Sequence, residues 1–258
     1  MVKAFRLLFF LAFFCAGIHF TFSLTDPRDG LSSISIKGNP SGDIGELTEL
    51  ISLDLSFNTF TGSLTPRLGD LNNLTTLILA GCGFTGSISD ELGNLAELSF
   101  LALNNSNLTG KIPSSLGKLS NLYWLDLADN HLTGPIPVST PTTPGLDLLK
   151  ELSTCELFDG NLLDGTIPST LGLVQTLEEF SNNKLKGPLP DLTGMNALNY
   201  ENLSNKAFFP SEAPAWFSTL PSLTTLLVGN PVCSALSNVS YCEQFNFSSI
   251  PSEPVEVA

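Results

Sequence analysis

A leucine returns every 24 residues. Leu47, Leu71, Leu95 and Leu119 share one phase, and each opens the same spaced set: Leu50, Leu53 and Leu55; Leu74, Leu77 and Leu79; Leu98, Leu101 and Leu103; Leu122, Leu125 and Leu127. Seven residues past each set comes a glycine, at Gly62, Gly86, Gly110 and Gly134. Four frames at one period mark a chain built from repeated coils. One such coil cannot bury its own apolar face, so each must stack on its neighbours, and the expected product is a solenoid. The Leu-x-Leu pair reads as a short strand whose leucines point inward while the residues between and beside them face solvent.

The rest of the frame supplies the turns. An Asn slot follows the strand at Asn58, Asn130, Asn161 and Asn183. A buried Asn there can pair with backbone groups that the turn leaves free. Cys82 takes this slot in the second frame and reads as a small buried residue beneath the turn. The glycine permits a tight bend. The pairs Ile112-Pro113, Ile136-Pro137 and Ile167-Pro168 open the convex side, where proline loses no needed donor.

Charge and the amino-terminal segment narrow the setting. Lys3 and Arg6 precede an apolar run from Leu7 to about Phe22, with small residues at Ser23 and Thr25. That is the layout of a secretory signal peptide over residues 1–24, cleaved near Ser23 or Thr25. The run falls short of the roughly 20 residues a membrane span needs. Without the leader the net charge moves from −14 to −16, because two cations leave and no acid does. An acidic exterior excludes a phosphate-backbone binder, so no nucleic-acid partner is expected. No later apolar run approaches the length of a span, so none is expected in this chain. Asn-x-Ser/Thr sequons stand at Asn73, Asn104, Asn107, Asn202, Asn238 and Asn246, which in an exported chain are candidate glycosylation sites.

The spacing Leu-x-x-Leu-x-x-Leu-x-Leu-x-x-Asn-x-Leu-x-Gly-x-Ile-Pro resembles the plant-specific class of leucine-rich repeats. The expected fold is therefore an α/β solenoid, a plant-type leucine-rich-repeat superhelix with short parallel strands on the concave face. The blocks SGDIGELTEL (41–50), LAGCGFTGSI (79–88), YWLDLADNHLTGPIPVSTPTTPGLDLL (123–149), STLGLVQTLE (169–178), SEAPAWFSTLPSLTTL (211–226) and VGNPVCSALSNVSYC (228–242) resemble the ectodomain of plant leucine-rich-repeat receptor-like serine/threonine kinases. The resemblance implies a carboxy-terminal cap over 229–242 closed by a disulfide between Cys233 and Cys242. It implies a peptide, carbohydrate or protein ligand and contact with a co-receptor. Intact relatives carry a kinase; this sequence holds no kinase motif set.

Departures from the pattern divide the chain. Residues 25–46 form a degenerate amino-terminal cap and first repeat, without the Trp and Cys pair usual in such caps. Residues 47–228 are the repeats, regular over 47–137 and irregular over 138–228. VSTPTTPG inserts a loop, Glu156 stands beside Cys155 where a leucine is expected, and the following frame is two residues short. Glu201 and Lys206 occupy an inward apolar slot and an Asn slot. Residues 243–258 read as a disordered acidic tail.

No reacting site is legible. His131 is the only histidine beyond the leader and falls in the loop slot after Asn130. The cysteines lack the close paired spacing of a zinc site. The carboxylates are scattered, with Asp126 and Asp129 expected on the exposed strand face. No enzyme, cofactor or metal site is expected. The outward strand positions are Ser52, Asp54, Ser56 and Phe57; Thr76, Ile78 and Ala80; Phe100, Ala102 and Asn104; and Tyr123, Trp124, Asp126 and Ala128. Of these, Asp54, Phe57, Phe100, Asn104, Tyr123, Trp124 and Asp126 are the candidate ligand contacts, because exposed aromatics beside acids make good binding anchors. Three readings follow. The chain is an extracellular ligand- or protein-binding module of a receptor, secreted or on the outer face of the plasma membrane. Alternatively it is a secreted cell-wall enzyme inhibitor of the polygalacturonase-inhibitor type, or a truncated product without function.

Overall fold

The computed structural model describes residues 20–23, 37–38, 40, 42–153, 158–174, 182–188 and 207–208. Leu-x-Leu segments become the strands of a concave sheet, and the segments after the Asn slot become a second sheet. In chain order the strands are β1 (Phe20–Ser23), β2 (Lys37–Gly38), β3 (Leu50–Asp54), β4 (Thr59–Ser63), β5 (Thr76–Ile78), β6 (Gly83–Ser87), β7 (Phe100–Ala102), β8 (Asn107–Gly110), β9 (Trp124–Asp126), β10 (His131–Gly134), β11 (Leu162–Leu163), β12 (Lys186–Gly187) and β13 (Ala207–Phe208). The concave sheet has the order β1-β3-β5-β7-β9 and the second β11-β10-β8-β6-β4-β2, while β12 and β13 pair with each other. Every pairing is parallel.

The second sheet is an addition to the expected single concave sheet. The convex side is closed by short 3-10 helices, including Pro66–Asp70, Asp90–Asn94 and Ser114–Lys118, and the described residues contain no α-helix. Proline suits the entry to these turns: Pro113 and Pro168 sit at N-caps, and their carbonyls accept from the amides of Leu116 and Leu171. Between the sheets and the helices the frame leucines form one core. Leu71, Leu74, Leu77, Leu95, Leu98, Leu101, Leu119 and Leu125 have no exposed surface. Each such leucine contributes about 1.5–3 kcal/mol by leaving water.

The frame glycines do as their slot requires. Gly62, Gly86, Gly110 and Gly134 have φ of 89, 78, 78 and 80°, where a side chain would strain the backbone. A different set governs the convex side. A Cβ on Gly69 would stand 2.3 Å from the carbonyl oxygen of Glu91, and one on Gly93 would stand 2.4 Å from that of Ser115. Consecutive 3-10 helices thus touch backbone to backbone.

The insertion at 138–145 leaves the solenoid and returns. Its neck is closed by the Leu146 amide donating to the Pro137 carbonyl at 2.9 Å, and by buried Asp147, which accepts from the amide and hydroxyl of Ser139 at 2.7 Å each. The frame then resumes with Leu149, Leu152, Phe158, Leu163, Ile167 and Leu171 buried. Phe158 takes a leucine slot. The amide of Ser153 pairs with Tyr123, 30 residues back, whereas the amide of Asp129 pairs with Asp159, which is 31 residues beyond its repeat-equivalent, Ala128. The frame therefore gains one residue between Ser153 and Phe158.

Several expectations lie outside the described residues: the leader apart from Phe20–Ser23, most of the 25–46 cap, Cys155 and Glu156, Glu201 and Lys206, the Cys233–Cys242 bridge, the sequons at Asn202, Asn238 and Asn246, the 229–242 cap and the 243–258 tail.

Candidate concave binding face

Two rows of side chains cross the concave sheet from coil to coil. The first runs Ser52, Thr76, Phe100, Trp124, placed side by side by the pairings Ser52↔Thr76, Thr76↔Phe100 and Phe100↔Trp124. All four are half-buried. Phe100 and Trp124 stack with ring centroids 5.4 Å apart and planes inclined by 6°. The second row runs Ile51, Thr75, Ser99, Tyr123. Here the hydroxyls of Thr75 and Ser99 donate to the carbonyls of Ile51 and Thr75 in the coil before, at 3.1 and 3.0 Å. Tyr123 follows with 57% of its surface exposed, and Ser153 continues the row through its amide on the Tyr123 carbonyl. The sheet therefore changes character along its length, from hydroxyls and isoleucines in the first two coils to an aromatic cluster in the third and fourth.

Phe57 stands apart from this cluster. It is 60% exposed, the largest value among the described bulky apolar residues. Its φ is 53°, a left-handed conformation that an aromatic residue adopts only at a cost. Other coils fill this slot with Gly81, Asn105, Asp129, Gly160 and Asn182, all at positive φ. The Phe57 ring lies over Gly81 so closely that a Cβ there would meet it at 2.6 Å.

The acids require a correction. Asp126 was expected on the exposed face, yet it is only 6% exposed, and its carboxylate accepts from the Ala128 amide at 3.0 Å. Asp54, in the same slot of the first coil, is half-buried and accepts from both the amide and the hydroxyl of Ser56, at 2.9 and 2.6 Å. Both carboxylates fold back on the chain two residues ahead and help it turn. Ser56, Ala80, Ala102 and Ala128, also expected outward, are buried beside this turn. Asn104 is half-buried and Asp129 is exposed. What the strands present is thus aromatic rings, aliphatic Ile51 and Ile78, hydroxyls and one amide, with the exposed carboxylate of Asp129 at the turn beyond them.

The Asn slot lies beneath. Asn130 Nδ2 donates to the carbonyls of Leu103, Leu127 and Ala128 at 3.0–3.2 Å, and its Oδ1 accepts from the Leu108 amide at 3.0 Å. Asn161 repeats the arrangement one coil later, with its Oδ1 on the Leu132 amide. Cys82 substitutes for Asn in the second coil, its thiol donating to the Leu55 carbonyl at 3.3 Å. Burial pushes this thiol's pKa up, partly offset by the backbone amides of Asn58 and Phe60. Cys82 is free and buried, which favours an unreactive thiol. Ser106 fills the slot in the third coil, and its hydroxyl is buried without a hydrogen-bond partner.

Reacting chemistry finds little support elsewhere. Among the described residues no group of three or more His, Cys, Asp or Glu side chains is placed to hold a metal. His131 is exposed at the start of β10. A depression of about 340 Å³ on the convex side is lined by Asp90, Glu91, Asn94, Ser114, Ser115, Lys118 and Pro144, away from the aromatic rows. Its acids are engaged locally: Glu91 accepts from the Ser89 hydroxyl, which lowers its pKa, and Asp90 accepts from the Ser115 hydroxyl at 3.2 Å. Of the described sequons, Asn73 and Asn107 are exposed and Asn104 belongs to the concave face. Among the described residues no helix is long and apolar enough to cross a membrane.

The family model Leucine Rich Repeat matches residues 49–71, 73–95, 97–119 and 121–142. Among curated proteins none matches the sequence significantly. Solved structures do. The leucine-rich-repeat ectodomain of the plant membrane receptor kinase GASSHO1/SCHENGEN3 from Arabidopsis thaliana, in complex with CASPARIAN STRIP INTEGRITY FACTOR 2, is 35% identical with a TM-score of 0.68, over 83% of this chain and 26% of that one. The ectodomain of the Arabidopsis receptor kinase HAESA, in complex with an amino-terminally extended IDA peptide hormone ligand, is 30% identical with a TM-score of 0.55, over 76% of this chain and 37% of that one. A plant ice-binding protein, 21% identical with a TM-score of 0.55, covers 81% of this chain and 79% of its own length, and shares the fold. The chain spans only about a quarter to two fifths of the two receptor ectodomains.

Proposed function

The chain is a leucine-rich-repeat protein of the plant receptor-kinase ectodomain type, and from that premise we propose that it is an extracellular binding module that takes a peptide, or a segment of a partner protein, across its concave sheet. The observation that carries this reading is the aromatic cluster of Phe100, Trp124 and Tyr123 on the concave sheet. The two stacked rings form a continuous apolar ridge that can pack against an aliphatic or aromatic ligand side chain, and the exposed phenol adds a hydrogen-bonding edge. Aromatic anchors of this kind dominate binding energy where they become fully desolvated. The carboxylates of Asp54 and Asp126 shape the backbone beneath. The peptide class finds support in the ligands named for the two ectodomains above. A second protein chain, in the manner of a co-receptor, would then recognise the occupied face. The signal sequence and the sequons fit export and glycosylation.

The test is selection of binders from a displayed random-peptide library by the secreted full chain, followed by affinity measurement on Tyr123→Ala and Trp124→Ala variants. Each substitution is expected to weaken the selected peptides at least tenfold, about 1.4 kcal/mol. Unchanged affinity in the double variant would place binding elsewhere and sink the proposal.

A further inference from the structure

We propose that the leader is cut between Gly17 and Ile18, upstream of the point where its apolar run ends, so that Phe20–Ser23 remains in the mature chain as the first strand of the concave sheet; this rests on the export reading above. The backbone makes the case. β1 pairs with β3 in parallel, with Thr21 on Ser52, Phe22 on Leu53 and Ser23 on Asp54. β3 pairs with β5 in the same sense, with Ser52 on Thr76, Leu53 on Leu77 and Asp54 on Ile78. Phe22 thus stands at the register position of a frame leucine, and Phe22-x-Leu24 repeats the spacing of Leu53-x-Leu55.

The first coil also behaves as a covered coil. Leu50, Leu53 and Leu55 are 3, 3 and 5% exposed, close to the values of interior coils. A coil at this end reaches such burial only when something covers it; β2 on β4 and the 3-10 helix Gly42–Glu46 supply part of that cover, away from the concave sheet. Among the described residues, the strand on that side of β3 in its sheet is β1. A cut at Ser23 or Thr25 would remove it and leave the outer edge of β3 with open backbone donors and acceptors.

The sequence accommodates the earlier cut. Leu7 to Phe14 is an apolar stretch of about eight residues, within the roughly 7–15 of a signal core. Cys15-Ala16-Gly17 then provides small residues at the positions a leader peptidase reads. The step is hydrolysis of one peptide bond: water is consumed, Gly17 departs with the new carboxylate, and Ile18 keeps the new amine.

The experiment is expression of the full chain, tagged at its carboxy terminus, in plant or insect secretory cells, with amino-terminal sequencing of the secreted product. The expected read is Ile-His-Phe-Thr-Phe-Ser. A start at Leu24, Thr25 or beyond overturns the proposal while leaving export intact. An uncut chain held in the cell overturns both. A second measurement compares hydrogen exchange in the secreted chain with and without Phe20–Ser23. The deletion is expected to speed exchange along β3 at least tenfold and leave β7 unchanged; equal rates along β3 in the two chains would remove the strand's structural role.

Discussion

Asn130 shows how much one side chain does in a coil. Its amide serves three carbonyls on two adjacent coils, and its oxygen serves the Leu108 amide. Asn130→Ala leaves these groups buried without partners, and a loss of about 3 kcal/mol is expected in urea unfolding. Ser106 sits in the same slot with an idle hydroxyl. Ser106→Asn should restore the missing bonds and raise stability by about 1 kcal/mol in the same assay. Phe57 offers the converse case. Its left-handed backbone costs about 1–2 kcal/mol that a glycine would not incur. Phe57→Gly is expected to raise the unfolding midpoint; a fall would mean that the ring's contact with Gly81 outweighs the strain. The Asn slots and their purpose were legible in the sequence, because spacing alone reveals them. The outward role given to Asp126 was not. Strand alternation points its side chain away from the core, but the chain turns two residues later and the carboxylate closes onto that turn.

Between elements, glycine determines how closely coils stack. Gly69 and Gly93 let one 3-10 helix rest on the carbonyl of the next, with no space for a methyl group. Gly93→Ala should push the second and third coils apart and cost about 3 kcal/mol, near the upper range of overpacking; a urea titration matching the parent chain would contradict the close approach. Neither glycine stood out in the sequence, since both sit in a Leu-Gly pair that reads as a plain turn. The second sheet was hidden for a related reason. Its hydrogen bonds join residues 22 apart, such as Thr61 and Gly83, and no local pattern announces such pairing. The concave sheet was legible because its leucines declare a face. The insertion at 138–145 was legible as a loop, while the clasp of Asp147 on Ser139 depends on a fold-back that composition does not encode.

At the scale of the whole molecule, the two surfaces have diverged. The convex side carries charge, including Arg67, whose guanidinium reaches Glu46 at 3.0 Å and also bonds Asp70. These exposed pairs contribute little to stability. On the described part of the concave side Asp54 and Asp126 are committed to their own turns, Asp129 is exposed at the turn beyond the strand, and the aromatic cluster falls in the third and fourth coils. The clearest trial of this division is hydrogen exchange on the full chain with and without a library-selected peptide. Slowed exchange at Phe100–Ala102 and Trp124–Asp126, with the second-sheet strands Thr59–Ser63 and Gly83–Ser87 unchanged, is the expected pattern. Protection confined to the second sheet or the convex helices would contradict a concave binding face.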